Sequence, residues 1–149
     1  MIRTTINSIF ILLYFVSYCY SDEIKIVSNK LSVDRDNRVS IFTGDVYAYE
    51  KNLEIWADKI TLKFKKDEDK IQELLAVNKV KIVKQDITAT GSRGIYYPLE
   101  EKLQLYDDVE VLENNNSVKC DELILDIKNS TSIMKSVSNN RVEATITTK

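Results

Sequence analysis

Two groups of side chains in this sequence could carry chemistry, and the first is a set of acidic residues. The carboxylates of Asp58, Asp107, Asp108 and Asp121 offer the oxygen ligands that calcium prefers. They fall at turn positions far apart along the chain, without the dense oxygen spacing that a calcium loop uses. We therefore predict no metal site.

The second group is aromatic. Trp56 and the run Tyr96, Tyr97 and Pro98 could form a platform for a sugar ring. Successive residues of a strand point to opposite faces, which puts Tyr96 on the inner face and Tyr97 and Trp56 on the outer face. Aromatic residues also favour strands in their own right. A clustered carbohydrate site is therefore not predicted.

Composition excludes several functional classes. The chain of 149 residues contains no histidine and only three glycines. These counts exclude Ser-His-Asp and Cys-His nucleophiles, the commonest general base and a glycine-rich phosphate loop. The balance of 21 basic and 23 acidic residues is unlike the basic excess of a nucleic-acid-binding protein. We expect neither a cofactor nor enzymatic activity.

The first 21 residues have the order of a secretory signal peptide. Arg3 is the only charged residue before Asp22, and the apolar run Ile9–Val16 separates them. Cleavage after Ser21 would also remove Cys19. Cys120 would then be the sole cysteine, which excludes an internal disulfide; its alternating segment predicts a small core residue.

Two other interpretations of this segment remain open. The uncharged stretch 4–21 reaches the lower limit for a membrane-spanning helix, so an uncleaved inner-membrane anchor is the first alternative. Val16–Cys19 could be a lipoprotein box, although the bulky Tyr18 before the cysteine speaks against it. All three interpretations export the chain across a membrane.

Beyond residue 22 the dominant pattern is an alternation of apolar and polar residues, which indicates half-buried strands. Short polar clusters interrupt it at 34–37, 65–70, 98–102, 113–117 and 138–140. Breaks at this frequency predict hairpins and hence an antiparallel, all-β domain. The segment Lys70–Ala76 could be drawn as a helix, but we interpret it as a strand.

Two sequence units recur about every 30 residues. One is a small or polar residue, an acid or amide, a base or acid, and then two apolar residues separated by one position. It occurs at Ser28–Val33, Ala57–Leu62, Gly91–Tyr96 and Cys120–Leu125. The other ends in a valine, at Phe42–Val46, Ala76–Val80 and Leu105–Val109. A repeat of a few short strands cannot bury its apolar face alone and must stack on the next one.

Four stretches resemble the OstA-like repeat of the LptA family of periplasmic lipopolysaccharide-transport proteins: Ser28–Val33, Val39–Val46, Leu53–Leu62, and Ala89–Tyr96 with Pro98. The resemblance implies an all-β, open, twisted, antiparallel β-jelly-roll, V-shaped and solenoid-like, over residues 22–149. Only the first copy keeps Gly44–Asp45 at its turn. The later copies have Asn78–Lys79 and Asp107–Asp108, and Asn and Asp also tolerate left-handed backbone.

In the repeat register the inner face is apolar, and the resemblance implies that it binds acyl chains. The predicted lipid-binding residues are Leu31, Val33, Phe42, Val46, Leu62, Phe64, Val80, Ile82, Tyr96, Leu105, Val109, Val111, Leu123, Leu125 and Ile127. The first and last strands should be free edges that pair with other domains. The edge residues are Ile24, Ile26, Val142, Ala144 and Ile146.

The resemblance further implies a function. The chain would bind lipopolysaccharide, or a similar acylated glycolipid, and form part of a periplasmic bridge from the inner to the outer membrane. Its partners would be inner-membrane-anchored and outer-membrane OstA-like proteins, and copies could join head to tail. The alternatives are a membrane-anchored, LptC-like component of the same bridge, and a polymerising β-repeat scaffold that carries no lipid.

Mass spectrometry of the exported protein tests the first segment. We expect a species that begins at Asp22, because the basic start, short apolar centre and small residue at position 21 suit cleavage. A full-length species retained in membranes would contradict this prediction and favour the anchored alternative.

Overall fold

The computed structural model describes residues 23–137 and 139–148, and these residues form strands and turns. The predicted signal peptide, residues 1–21, lies outside the described residues. No described residue lies in a helix long and apolar enough to cross a membrane. The strands are β1 (Lys25–Val27), β2 (Lys30–Asp34), β3 (Val39–Glu50), β4 (Leu53–Phe64), β5 (Ile71–Lys84), β6 (Ile87–Tyr97), β7 (Lys102–Glu113), β8 (Asn116–Asp126), β9 (Thr131–Lys135) and β10 (Glu143–Thr145).

The strands form one antiparallel sheet, which confirms the predicted all-β class, and the segment after Lys70 is indeed a strand. Strands β3 to β8 follow one another as hairpins. At one edge, β1 and β2 both pair with β3, end to end; at the other edge, β9 and β10 both pair with β8. Each edge therefore consists of two short strands.

Two kinds of connection alternate along the chain. Longer loops at 35–38, 65–70, 98–101 and 127–130 lie at one end of the strands, and two-residue turns at 51–52, 85–86 and 114–115 lie at the other. We call the corresponding parts of the sheet the loop half and the turn half. The sequence breaks did not indicate the turns at 51–52 and 85–86, which contain neither glycine nor proline; Lys51 and Gln85 each adopt φ 53° there.

A line of irregular pairing separates the two halves, and we call it the fold line. On β3, β5 and β7 it consists of Gly44–Asp45, Asn78–Lys79 and Asp107–Asp108, and each pair lies opposite a single residue of the next strand. Asn78 and Asp107 both have φ 65°, so asparagine and aspartate replace glycine there. Such bulges bend the strands that carry them, and the recurring sequence units mark this bend.

The sheet covers its own inner face by bending at the fold line. An open antiparallel sheet would leave one face in water, yet Ile60, Leu105 and Val80 are buried. The facing layer is the other half of the same sheet. A Cβ placed on Gly94, in the loop half, would lie 3.2 Å from Val80 of the turn half and 3.2 Å from Leu105. The glycine therefore lets the two halves approach closely.

The loops 35–38 and 127–130, at the two edges of the sheet, share their hydrogen bonds as well as their positions. The carboxylate of Asp34 accepts from the backbone N and Nδ2 of Asn37 at 3.0 and 2.8 Å. Asp126 accepts from the same atoms of Asn129, both at 2.9 Å. These hydrogen bonds lower the pKa of both aspartates. The loops at the two edges of the sheet are thus built alike.

Substitution of Asn78 tests the fold line. Asn78→Val is expected to lower the free energy of unfolding by about 1–2 kcal/mol, because a β-branched residue is poorly tolerated in left-handed backbone. Asn78→Gly is the matched control and should stay within about 1 kcal/mol of the wild type. Urea unfolding followed by circular dichroism measures both. Equal losses would contradict the left-handed bend as the cause.

Candidate functional site

Three rows of side chains cross the inner face from one edge of the sheet to the other. The first row in the loop half is Leu31, Phe42, Ile60, Ala76, Gly94, Leu105, Leu123 and Met134. The second is Val33, Ser40, Leu62, Leu74, Tyr96, Leu103, Leu125 and Ser132. The turn half contributes Ile26, Ala48, Ile55, Ile82, Ala89, Val111, Val118 and Ala144. No row contains a charged residue.

Burial along these rows changes from the centre to the edges. Leu105 is 0% exposed, whereas Leu31 in the same row is 54% exposed and Val33 in the next row is 58% exposed. Nine of the predicted lipid-binding residues are buried: Val46, Leu62, Val80, Ile82, Tyr96, Leu105, Val109, Val111 and Leu123. Of the remaining six, Leu31 and Val33 are exposed, and four are partly buried: Phe42, Phe64, Leu125 and Ile127.

The middle of the inner face is filled by the protein itself. A cavity of only about 10 Å³ lies between the halves, where Glu50 and Leu53 of the turn half meet Leu74 and Tyr96 of the loop half. The space opens near the β2 edge. A cavity of about 390 Å³ lies there, and its lining includes Val33 and Phe64. Its volume is within the usual range of ligand pockets.

Sequence reasoning missed Glu50, the buried charged residue of the inner face. It follows Val46 and Ala48 at the same two-residue spacing and is 8% exposed. The spacing was a signal for its inward orientation. That signal was overlooked because Glu50 lies next to the two-residue turn 51–52, where it pairs with Leu53. A residue beside a turn is ordinarily exposed.

The candidate aromatic platform does not come together. The Trp56 ring lies on the outer face, 5.1 Å from the ring of Tyr47 between centroids, with the Lys81 Nζ 5.2 Å from its centroid. Tyr96 is buried on the opposite face. The four candidate calcium-binding aspartates lie along the fold line, and the described residues contain no cluster placed to hold a metal ion.

Cys120 is a core residue, as its alternating segment predicts. It is buried in the turn half, in register with Val109. Burial raises the pKa of its thiol, which keeps the side chain protonated and unreactive near neutral pH.

The two predicted edges are shorter than the sequence pattern suggested. Ile26 pairs with Ala48 and Ala144 with Val118, so both lie on the inner row of the turn half. Ile24 precedes β1, and Val142 and Ile146 flank β10, where they are exposed. The predicted last strand ends at Thr145 because the next residues bond differently: the backbone N of Thr147 donates to the Asn116 side chain at 3.0 Å.

Comparison with known proteins identifies the family. Residues 25–131 match the family model described as LptA/(LptD N-terminal domain) LPS transport protein. The chain belongs to this family. The match confirms the resemblance and the predicted role in lipopolysaccharide transport. No curated protein sequence matches the chain.

A solved structure has the same fold. LptH from Pseudomonas aeruginosa, described as the LptA-homologous periplasmic component of the conserved lipopolysaccharide transport device, superposes with a TM-score of 0.76. The match covers 85% of this chain and 96% of LptH, at 15% identity. The LptA-like jelly-roll predicted from the sequence is thus confirmed.

Leu105 and Leu31 belong to the same row, but Leu105 lies in the packed centre and Leu31 lies at the open edge. Leu105→Ala is expected to lower the free energy of unfolding by about 2–5 kcal/mol, because it leaves a cavity in a closed core. Leu31→Ala, the matched control, should cost less than about 1 kcal/mol, since its side chain is already half in water. Chemical denaturation measures both. A similar loss for each would contradict the gradient of burial.

Proposed function

We propose that this LptA-family chain carries the acyl chains of lipopolysaccharide along its inner face across the aqueous periplasm. The observation that supports this most directly is the apolar row that runs from β2 to β9 without a charged residue. Polar residues lie on the outer face of the same strands, so a glycolipid can keep its sugars in water while its hydrocarbon is covered.

The energetics require a covered path of this kind. Each methylene group taken from water contributes about 0.8 kcal/mol, so one chain of about 12 carbons costs roughly 10 kcal/mol to expose. A lipid with several such chains would cross water very slowly without a carrier. A continuous apolar surface removes most of this barrier, and modest affinity at each point lets the lipid move on.

The packed centre implies that acyl chains enter by separating the two halves. Backbone hydrogen bonds run between neighbouring strands of the single sheet, so the halves can part at the fold line without breaking the ladder. Only side-chain packing, such as that of Glu50 and Leu53 against Leu74 and Tyr96, would be lost there. Lipid hydrocarbon would replace that packing with similar dispersion contacts.

The edges would connect this domain to its neighbours. β1 and β2 at one edge and β9 and β10 at the other each pair on one side only within the described chain, and such edges accept further strands. Inner-membrane-anchored and outer-membrane OstA-like partners, or a second copy joined head to tail, would extend the apolar rows. Residues 1–21 would serve as a signal peptide, or as an anchor if they remain uncleaved.

Site-specific photo-crosslinking in membranes tests the proposal. A photoreactive residue at Phe64, Ile82 or Leu125 is expected to capture lipopolysaccharide, because all three lie on the inner face. The same residue at the exposed positions Lys63 and Lys81, one step away on β4 and β5, should capture none.

Crosslinking that captures only protein at all three inner positions would contradict the carrier proposal and favour a scaffold without lipid cargo. Equal capture at inner and outer positions would contradict the assignment of the inner face as the path.

A further inference from the structure

The open cavity beside the β2 edge combines apolar walls with two arginines. Val33, Val39 and Phe64 form its apolar side, and Arg35 and Arg38 also line it. With a volume of about 390 Å³, it opens the inner face to water at the β2 edge. Hydrocarbon and a guanidinium side by side suit an amphiphile whose anionic group lies next to its acyl chain.

Arg38 is held at the mouth of this cavity by hydrogen bonds of its backbone and of one guanidinium nitrogen. Its carbonyl oxygen accepts from the backbone N of Phe64 at 3.1 Å, which ties the 35–38 loop to the end of β4. Its Nη2 donates to the carbonyl oxygen of Glu68 at 2.9 Å and to Asp69 Oδ1 at 3.1 Å. The side chain is therefore positioned before any ligand arrives.

The remaining donors of Arg38 distinguish a binding role from a purely structural one. Its Nε is buried and has no hydrogen-bond partner within residues 23–137 and 139–148. A buried donor without an acceptor destabilises the folded chain. The Arg38 side chain as a whole is 35% exposed, so a phosphate in the cavity would bind the guanidinium N–H groups that remain accessible, as a planar guanidinium does through parallel N–H groups.

The carboxylates at this mouth do not block an anion. The Asp69 side chain is fully exposed, and an ion pair of this kind is weak, so a ligand can displace it from Arg38. Both oxygens of Asp34 already accept hydrogen bonds from Asn37.

We propose that Arg38, assisted by Arg35, binds the phosphate group of an acylated lipid at this mouth while its acyl chain lies against Val33 and Phe64. The site would select phosphate-bearing lipids where the apolar face opens. This inference rests on the proposed function, because it assumes that hydrocarbon enters the inner face here.

Binding of three small probes to the full chain tests the site. The probes are lauroyl lysophosphatidic acid, monolauroylglycerol and glycerol 3-phosphate, each measured by calorimetry below its micellar concentration. They separate the contributions of the phosphate and the acyl chain. We expect the phosphate-bearing lipid to bind about tenfold more tightly than the neutral one, in line with a charge-assisted hydrogen bond. Glycerol 3-phosphate should bind at least tenfold more weakly than the lipid.

Variants assign the preference to Arg38. Arg38→Gln should abolish the tenfold preference and leave the affinity for monolauroylglycerol unchanged, and Arg38→Lys should keep only part of it. Arg141→Gln, at an exposed arginine on the other edge, is the matched control. Asp69→Asn should strengthen phosphate-lipid binding two- to threefold, because it removes the competing carboxylate; it also tests the site if Arg38→Gln fails to fold.

Several results would overturn the inference. These are equal affinity of the wild type for both lipids, an unchanged preference in Arg38→Gln, no effect of Asp69→Asn, or glycerol 3-phosphate binding as tightly as the lipid, which would indicate a site for free phosphate. If lipid crosslinks form at Ile82 while no headgroup preference is found, this inference alone fails. If neither lipid binds and no lipid crosslinks form, the proposed function fails with it.

Discussion

The rest of this structure depends on one constraint: an apolar face on an open sheet must be covered, and within residues 23–137 and 139–148 the sheet covers itself. The fold line meets this requirement. Left-handed pairs such as Asn78–Lys79 recur on alternate strands, so every long strand bends at the same level and the two halves face each other. Burial of Ile60 and Leu105 follows from this bend, because the other half of the same sheet is the facing layer.

The same packing that stabilises the domain also limits its use as a carrier. A closed centre around Leu105 contributes stability, whereas a path for hydrocarbon needs that centre to give way. The gradient of exposure from Leu105 to Leu31 and Val33 reconciles the two, because a lipid can first contact apolar side chains that are already in water. In the proposed carrier, the hydrogen-bonded ladder would keep the strands in register while side chains exchange one apolar neighbour for another.

A fold specified in this way tolerates wide sequence divergence. LptH keeps the fold at 15% identity, which fits a design that needs apolar residues at alternate positions and a bend at a fixed level. Gly44 in the first copy and Asn78 or Asp107 in the later ones serve the same left-handed conformation. Glycine itself is required where the halves touch, as at Gly94 beside Val80.

Gly44–Asp45 and its counterparts, which the sequence placed at turns, are bulges inside long strands. The sequence by itself determined the all-β class, the repeats and the inward and outward sets. Each of these depends on spacing along a single strand, and strand geometry is local. The tertiary structure alone decided how full the interior is, that Glu50 lies among apolar residues, that β10 stops at Thr145, and that Arg38 reaches Glu68 and Asp69 from another loop. Those features depend on which residues meet across the bend or between loops. All the strands together set how closely such residues approach.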